Sequence, residues 1–153
     1  MHVGFIIENW ENIDPVTSST LTIIKECLHR KHKVSILYTN DLTVRNNIVH
    51  GFVRQIDTMD KVPDSVTSFY KKAKFQDKLV ALHAFDCIMI RKDPPLDPLV
   101  FNFLDAIKNE TVIINDLDGI RKANNKLYTT TFHDPNNSYL PVTHVSGSKK
   151  YIT

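Results

Sequence analysis

Four short apolar runs constrain the fold of this chain more than any other feature of its sequence. The runs are HVGFII from residue 2, KVSILY from residue 33, FDCIMIRK from residue 85 and TVIIN from residue 111. Because they are apolar without regular alternation, they indicate strands that are buried on both faces, as in a parallel sheet. Helix-like and polar stretches separate them. We therefore predict an α/β fold, a Rossmann-like open parallel sheet with helices on both faces.

The stretches between these runs carry helix signals. The hydroxyl residues 18–20 are predicted to cap a first helix that runs to about Lys31. DPLVFNFLDAIKN is predicted to form an amphipathic helix with Pro98 in its first turn. A further helix is predicted over DGIRKANNKLYTTTF, with Asp118 as its cap.

The middle and the end of the chain carry weaker signals. LTVRNNIVHGFVRQID alternates around Asn46 and Asn47, which predicts a β-hairpin. DKVPDSVTSFYKKAKFQDKL is polar and predicts a short helix and a loop. NNSYLPVTHV predicts a last short strand, and SGSKKYIT predicts a linker or the start of a new helix.

Composition and charge argue against several classes of protein. With 42% hydrophobic and 24% charged residues, the chain is typical of a globular domain. A net charge of +2 with scattered lysines gives no basic arm for nucleic acid. No apolar run is long enough to cross a membrane, and the N-terminus has the character of a strand. Cys27 and Cys87 lie among apolar residues, so we interpret them as reduced, buried thiols in a cytoplasmic protein; the alternative is a disulfide between them.

The carboxyl ends of parallel strands are where open α/β sheets bind ligands. Four stretches are predicted to meet there: residues 8–20, the turn after residue 38, residues 91–97 and residues 115–126. Arg91 can clamp a carboxylate or a phosphate with its planar guanidinium, and Pro94 and Pro95 would keep its turn rigid. The alternative is that Arg91 pairs with Asp93 or Asp97 and that the prolines only end a strand.

Two further side chains allow two interpretations each. Lys126 either reaches a phosphate oxygen as a point charge or belongs to a solvated helix face. Trp10 either forms a hydrophobic lid or anchors its loop by packing, and we favour the anchor. No metal site is predicted, because the seven histidines lack metal-ligand spacing and the pair His29 and His32 lies among basic residues.

Three motifs follow one another in the order and spacing of a known family. NIDPVTSST…HRKH is similar to the family's first loop and helix, and DCIMIRKDPPLD is similar to its D-V-I/L-L-M-R-K-D-P-P-F-D motif. NDLDGIRKANNKL is similar to its N-x-P-x-x-L-R-D-x-N-E-K-L motif. On these residues the chain resembles the N-terminal domain of prokaryotic-type glutathione synthetase. The resemblance implies a pre-ATP-grasp domain at residues 1–145, followed at 146–153 by a linker or the start of a missing ATP-grasp domain.

The complete enzyme of that family joins γ-glutamylcysteine to glycine with ATP, through an acyl phosphate and with Mg²⁺. The resemblance thus implies part of a carbon–nitrogen ligase that uses ATP and Mg²⁺ when complete, with neither bound by this domain alone. Its partners would be the small-molecule substrates and the ATP-grasp domain. Neither nucleic acid nor a membrane is implied, and a homo-oligomer is compatible with the resemblance.

The resemblance also assigns roles to individual residues. Arg91, Ser18 and Ser19 would face the substrate, Lys126 would face the nucleotide phosphates, and no residue within this domain would be catalytic. The other motif residues are expected to be architectural: Lys92, Asp93, Pro94, Pro95, Asn115, Arg121 and Asn124.

Several positions depart from the family's pattern. Ser18 replaces the loop aspartate, Lys31 the glycine after the first helix, Leu117 a proline and Asn125 a glutamate. The family's glycine-rich loop and acidic metal ligands are not in this sequence, so we expect no ligase turnover from this chain alone. One alternative is a stand-alone binding domain that kept the fold and lost the chemistry. Another is a related ligase with a different acceptor.

Overall fold

A computed structural model describes residues 1–136 and 138–152 of the chain, except for the side chains of Lys126 and Ile152. Its helices and strands are, in chain order, β1 His2–Ile6, α1 Ser19–His29, β2 Lys33–Arg45, β3 Ile48–Ile56, α2 Val66–Lys72, β4 Phe75–Ala81, β5 Cys87–Ile90, α3 Pro98–Asp105, β6 Val112–Ile114, α4 Leu117–Ala123 and α5 Lys149–Ile152. Short 3₁₀ segments lie at Trp10–Asn12, Leu82–Ala84 and Lys126–Thr131. None of the helices in the described part has the length and apolar character needed to span a bilayer.

The described strands form one sheet in the order β4-β3-β2-β1-β5-β6. β1 pairs in parallel with β2 and β5, and β5 pairs in parallel with β6, so these four strands form a parallel half. β2 extends beyond that half and pairs antiparallel with β3, which pairs antiparallel with β4. We call β3, β4 and α2 the antiparallel half. The predicted α/β class is confirmed, and the sheet is mixed, with parallel pairing in one half.

Helices cover both faces of the sheet, as predicted. On one face α1 and α2 pack into the core, with Leu21 and Phe69 fully buried. On the other face α3 and α4 pack into a second layer. Neighbouring strand residues alternate between the layers, so Phe5 joins the first and Ile6 the second. Because both faces of the parallel half are covered, its strands carry apolar side chains on both sides.

Local hydrogen bonds fix both ends of α1. Ser18 is the N-cap, and its Oγ accepts the N–H of Leu21 at 3.2 Å. Just past the helix, Lys31 lies in the left-handed region with φ of 60°. The N–H of His32 donates to the Cys27 carbonyl at 2.9 Å, which closes the helix end. Lys31 occupies the position where the similar family has glycine, so a lysine here holds a conformation that favours glycine.

The antiparallel half confirms one prediction and corrects another. Asn46 and Asn47 form the predicted hairpin turn, with φ of 51° and 63°, between β2 and β3. The loop predicted after α2 is wrong, because residues from Phe75 form β4. This strand lies at the edge of the sheet and exposes Asp77 and Lys78. Charges on an edge strand discourage pairing with other chains, and they gave this stretch its loop-like composition.

The C-terminal region differs from three predictions. Asp116, and not Asp118, caps α4, because Oδ1 of Asp116 accepts the N–H of Gly119 at 2.6 Å. The helix ends at Ala123, so it is shorter than predicted. The last strand predicted over NNSYLPVTHV is not formed at residues 136 and 138–145, and Asn137 lies outside the described residues. That stretch contains a proline, which cannot donate a hydrogen bond to a sheet ladder.

Candidate functional site

The carboxyl ends of the parallel strands border a cleft of about 410 Å³, which we call the Arg91 cleft. Its lining comes from the start of α1, the end of β5 with the segment after it, the turn after β6, and α4. The lining residues are 17–20, 90–94 and 96, Asn115 and Ile120. The fourth stretch, predicted as a turn after Tyr38, instead lies within β2, and it borders a neighbouring hollow of about 570 Å³. The structure therefore gathers all four stretches at one edge of the sheet.

Arg91 reaches from the end of β5 to the first turn of α1. Its Nε donates a hydrogen bond to Thr20 Oγ1 at 3.1 Å, and its Nη2 donates to Ser19 Oγ at 2.9 Å. Its backbone N–H donates to the Ile6 carbonyl at 2.7 Å, which extends the β1–β5 ladder by one residue. The exposed guanidinium is therefore held in a defined orientation between two elements of the parallel half.

The alternative ion pair of Arg91 is not formed. Neither Asp93 nor Asp97, both within the described part, pairs with Arg91. Oδ1 of Asp97 instead accepts the N–H of Leu99 at 2.7 Å and caps α3. Since the two hydroxyls that hold Arg91 are neutral, its charge has no carboxylate partner among the described side chains.

Lys92, the next residue along the chain, is neutralised by a partner. It forms an ion pair with Glu8, on the loop after β1. The Lys92 side chain is 20% exposed and the Glu8 side chain 58%, so the pair lies at the rim of the site. Lys92 lines both the Arg91 cleft and the neighbouring hollow, and the ion pair thus lies between them.

The two serines predicted to face a substrate both line the Arg91 cleft. The oxygen of Ser18 is committed to capping α1, and the oxygen of Ser19 accepts the hydrogen bond from Arg91. Each hydroxyl acts as an acceptor in these contacts, so each still has an O–H that can be donated.

The turn after β5 is braced from behind by α4. The backbone N–H of the buried Leu96 donates to Asn124 Oδ1 at 3.2 Å. Pro94 and Pro95, joined by a cis peptide bond, are exposed on this turn. Asn115 is exposed on the cleft wall. Of the asparagines predicted from the motifs, Asn124 supports the turn and Asn115 lines the cleft itself.

Arg121 makes a different set of contacts and does not line the Arg91 cleft. It bridges Asp105 on α3 and Asp118 on α4. Its guanidinium carbon lies 5.0 Å from the ring centre of Phe101. The hydrogen bond from Arg121 holds the pKa of the Asp105 carboxyl below its usual value. Arg121 therefore ties α3 to α4, with its charge compensated.

The predicted phosphate contact of Lys126 lies outside the described part of the structure, because only the backbone of this residue is described. The sequence predicted that Lys126 lies on the helix after β6. Its backbone instead begins the 3₁₀ segment that follows α4. The Oδ1 of Asn125 accepts the N–H of Leu127 at 2.9 Å and caps that segment.

Trp10 is the anchor that we favoured. It is 5% exposed, stacks on Tyr70 at 5.2 Å and meets the edge of Phe75 at 5.0 Å. The Tyr70 hydroxyl donates to the Trp10 carbonyl at 2.9 Å. The loop that leads from β1 to α1 is therefore fastened to the antiparallel half.

Sequence reasoning missed two contributors to the site. Thr20 was predicted only as a helix-capping residue, and Glu8 was given no partner. The signal for Thr20 is its position beside Ser19 at the start of a helix on the predicted ligand edge. Within the described ranges, no group of three His, Cys, Asp or Glu side chains could hold a metal ion.

Comparison with known proteins gives the chain a family. The family model described as the prokaryotic glutathione synthetase N-terminal domain matches residues 1–121. Curated relatives named glutathione synthetase include one from Nitrosomonas europaea, 28% identical over 86% of this chain and 42% of the relative. One from Synechococcus elongatus is 29% identical over 99% of this chain and 48% of the relative. One from Buchnera aphidicola subsp. Baizongia pistaciae is 26% identical over 99% of this chain and 45% of the relative. The chain spans less than half the length of these relatives, and its match to the family model over most of its length shows that it belongs to the prokaryotic glutathione synthetase N-terminal domain family.

Proposed function

We propose that this chain is the substrate-side domain of a ligase that joins γ-glutamylcysteine to glycine with ATP, through an acyl phosphate. Family membership supports this reaction class. The observation that carries the proposal is the exposed Arg91, which is oriented at the cleft without a carboxylate partner. On this proposal, residues 1–145 form the domain, and 146–153 lead into an ATP-grasp domain.

Arg91 differs from most arginines of this chain in having no carboxylate partner, a property that it shares with Arg45 among the described residues. Arg30, Arg54 and Arg121 each pair with at least one carboxylate. Arg91 is held only by hydroxyl oxygens, so its charge stays available to a ligand. A guanidinium presents parallel N–H donors that match the two oxygens of a carboxylate. We therefore assign Arg91 to a carboxylate of γ-glutamylcysteine, with the O–H groups of Ser18 and Ser19 as further donors.

The contribution of the chain to the reaction is binding and orientation. Holding the dipeptide at the Arg91 cleft would lower the entropic cost of bringing its reacting carboxyl to ATP. We propose that Lys126 faces the nucleotide phosphates as a point charge. Among the described residues no group of three His, Cys, Asp or Glu side chains could hold a metal ion, so no step is assigned to a metal held by this chain. The free thiols of Cys27 and Cys87 suit a reducing compartment such as the cytoplasm.

The test uses the protein encoded by the complete reading frame. We expect it to consume ATP only when γ-glutamylcysteine and glycine are both present. Arg91→Met should raise the KM for γ-glutamylcysteine by about 10- to 100-fold, because a charged hydrogen-bond partner is lost, and should leave the KM for glycine unchanged. Arg121→Met is the matched control, with the KM for the dipeptide unchanged. Lys126→Ala should lower turnover with ATP.

Two results would overturn these assignments. Unchanged kinetics in the Arg91 or Lys126 variant would remove that residue from its assigned role. ATP consumption that does not depend on the dipeptide would remove the ligase proposal. In that case, and if the reading frame encodes no glycine-rich ATP-grasp loop after residue 153, a stand-alone binding domain becomes the better account.

A further inference from the structure

The guanidinium of Arg91 has two usable edges, and one of them is occupied inside the protein. Nε and Nη2 donate to the adjacent residues Thr20 and Ser19, so the edge shared by Nε and Nη2 faces α1. A guanidinium has five N–H donors, and these contacts use two of them. The edge shared by Nη1 and Nη2 remains, and it carries the parallel pair of N–H groups that suits a carboxylate.

We propose that Thr20 is a positioning residue: its hydroxyl, together with that of Ser19, turns Arg91 so that the Nη1/Nη2 edge receives a ligand carboxylate. This inference rests on the proposed function and deepens it. A substrate is not expected to depend on Thr20 for direct contact, because Thr20 acts through the orientation of Arg91.

Both ends of this arrangement are fixed by the fold. The backbone of Arg91 is held by its hydrogen bond to the Ile6 carbonyl, one residue beyond β5. On the other side, α1 is fastened to the sheet by Leu21 and Ile24, which are fully buried. Hydroxyls on a packed helix restrict an arginine side chain that would otherwise lose rotamer entropy on binding. Their role is therefore preorganisation.

Neutral hydroxyls are suited to this task because they orient the arginine without neutralising it. A carboxylate in their place would hold the guanidinium equally well. It would also compensate the charge of the guanidinium, as Asp105 and Asp118 do at Arg121, and it would then compete with a ligand carboxylate. The hydroxyls of Ser19 and Thr20 thus fix the geometry of Arg91 and leave its charge uncompensated.

The test compares Thr20→Val, which removes the acceptor and keeps the shape, with Thr20→Ser, which keeps the acceptor. Thr22→Val is the matched control, because Thr22 also lies on the first turn of α1 and its hydroxyl donates to the Ser18 carbonyl instead. Binding of γ-glutamylcysteine and of acetate to this chain is followed by NMR, together with solvent exchange of the Arg91 Nε–H. Acetate is included because it carries the carboxylate alone.

We expect Thr20→Val to speed exchange of the Arg91 Nε–H and to weaken binding of both probes by about fivefold to tenfold. Thr20→Ser and Thr22→Val should behave like the wild type. If acetate shifts the Arg91 signals and γ-glutamylcysteine does not, this inference stands and the proposed function is overturned. The inference would be overturned if Thr20→Val bound both probes as tightly as the wild type, or if Thr22→Val lost as much affinity as Thr20→Val. It would also be overturned if neither probe changed the Arg91 signals.

Discussion

The parallel and antiparallel halves of the sheet serve different purposes, although β2 belongs to one and pairs with the other. The lining of the Arg91 cleft comes entirely from elements of the parallel half and its loops. The antiparallel half supplies none of it and instead holds the aromatic cluster around Trp10. Parallel strands bring their carboxyl ends, and the loops that follow, to one edge, whereas antiparallel strands send alternate ends to opposite edges.

The antiparallel half nevertheless supports the site indirectly, through the loop between β1 and α1. The loop between β1 and α1 is fastened to it by Trp10, and Arg54 on β3 pairs with Glu11 of that loop at 2.7 Å. The same Arg54 lies 4.3 Å from the ring centre of Phe75. We therefore expect the two halves to unfold as one cooperative unit, in which the parallel half carries the Arg91 cleft and the antiparallel half fastens the loop before α1.

The largest effect is expected from Phe69→Ala in the antiparallel half. Phe69 is fully buried on α2 and meets Trp10 edge-on at 6.3 Å, so truncation leaves a cavity and should lower the free energy of unfolding by about 3–5 kcal/mol. Urea unfolding is followed by Trp10 fluorescence, since Trp10 is the chain's one tryptophan, and by circular dichroism.

Phe52→Ala is the control, because Phe52 lies in the same half but is 55% exposed, and its effect should stay within about 0.5 kcal/mol. The two probes should report the same midpoint in every variant. Separate midpoints would show that the halves unfold independently and would break the comparison.

The contrast between the halves also explains what the sequence could predict. Continuous apolar runs reveal strands that are buried on both faces, so the parallel half was predicted closely, and Asn46 and Asn47 revealed the hairpin. β4 was not predicted, because an edge strand is exposed and carries charges, as a loop does. The predicted edge for ligands follows from strand direction alone. The partners of Arg91 could not be predicted, because Thr20 and Ser19 are 71 and 72 residues away along the chain and meet it only through packing.

The next effect concerns acid stability in the parallel half. The ring of His2 hydrogen bonds to the buried Ser35 at 2.9 Å and lies 4.1 Å from the ring of Phe85. Burial, aided by the charge of Lys33 and opposed by that of Asp86, lowers the pKa of His2 from 6.5 to about 4. Between these values the unfolded chain binds more protons than the folded one. The contribution of His2 is thus complete above about pH 6.5 and is lost as the pH falls towards 4.

We expect this loss to be about 1 kcal/mol, because His2 is only half-buried and solvent screens much of the effect. Urea unfolding of the wild type and of His2→Gln between pH 4 and 7.5 measures it, since subtraction removes the contribution of the other titrating groups. NMR of the His2 ring gives its pKa directly. Parallel curves for the two proteins, or a ring that titrates near 6.5, would contradict the assignment.

The smallest effect compares left-handed residues in the two halves. Lys31, after α1, and Asn47, in the hairpin turn, have nearly equal φ values of 60° and 63°. A left-handed conformation costs a lysine about 1–2 kcal/mol, whereas asparagine tolerates it because its side chain can bond locally. Glycine relieves that cost but adds flexibility to the unfolded chain. Lys31→Gly should therefore raise the free energy of unfolding by about 0.5–1 kcal/mol, and Asn47→Gly by only a few tenths. Thermal unfolding of the two variants provides the measurement, and a larger gain at Asn47 would show that side-chain contacts of Lys31 outweigh its backbone strain.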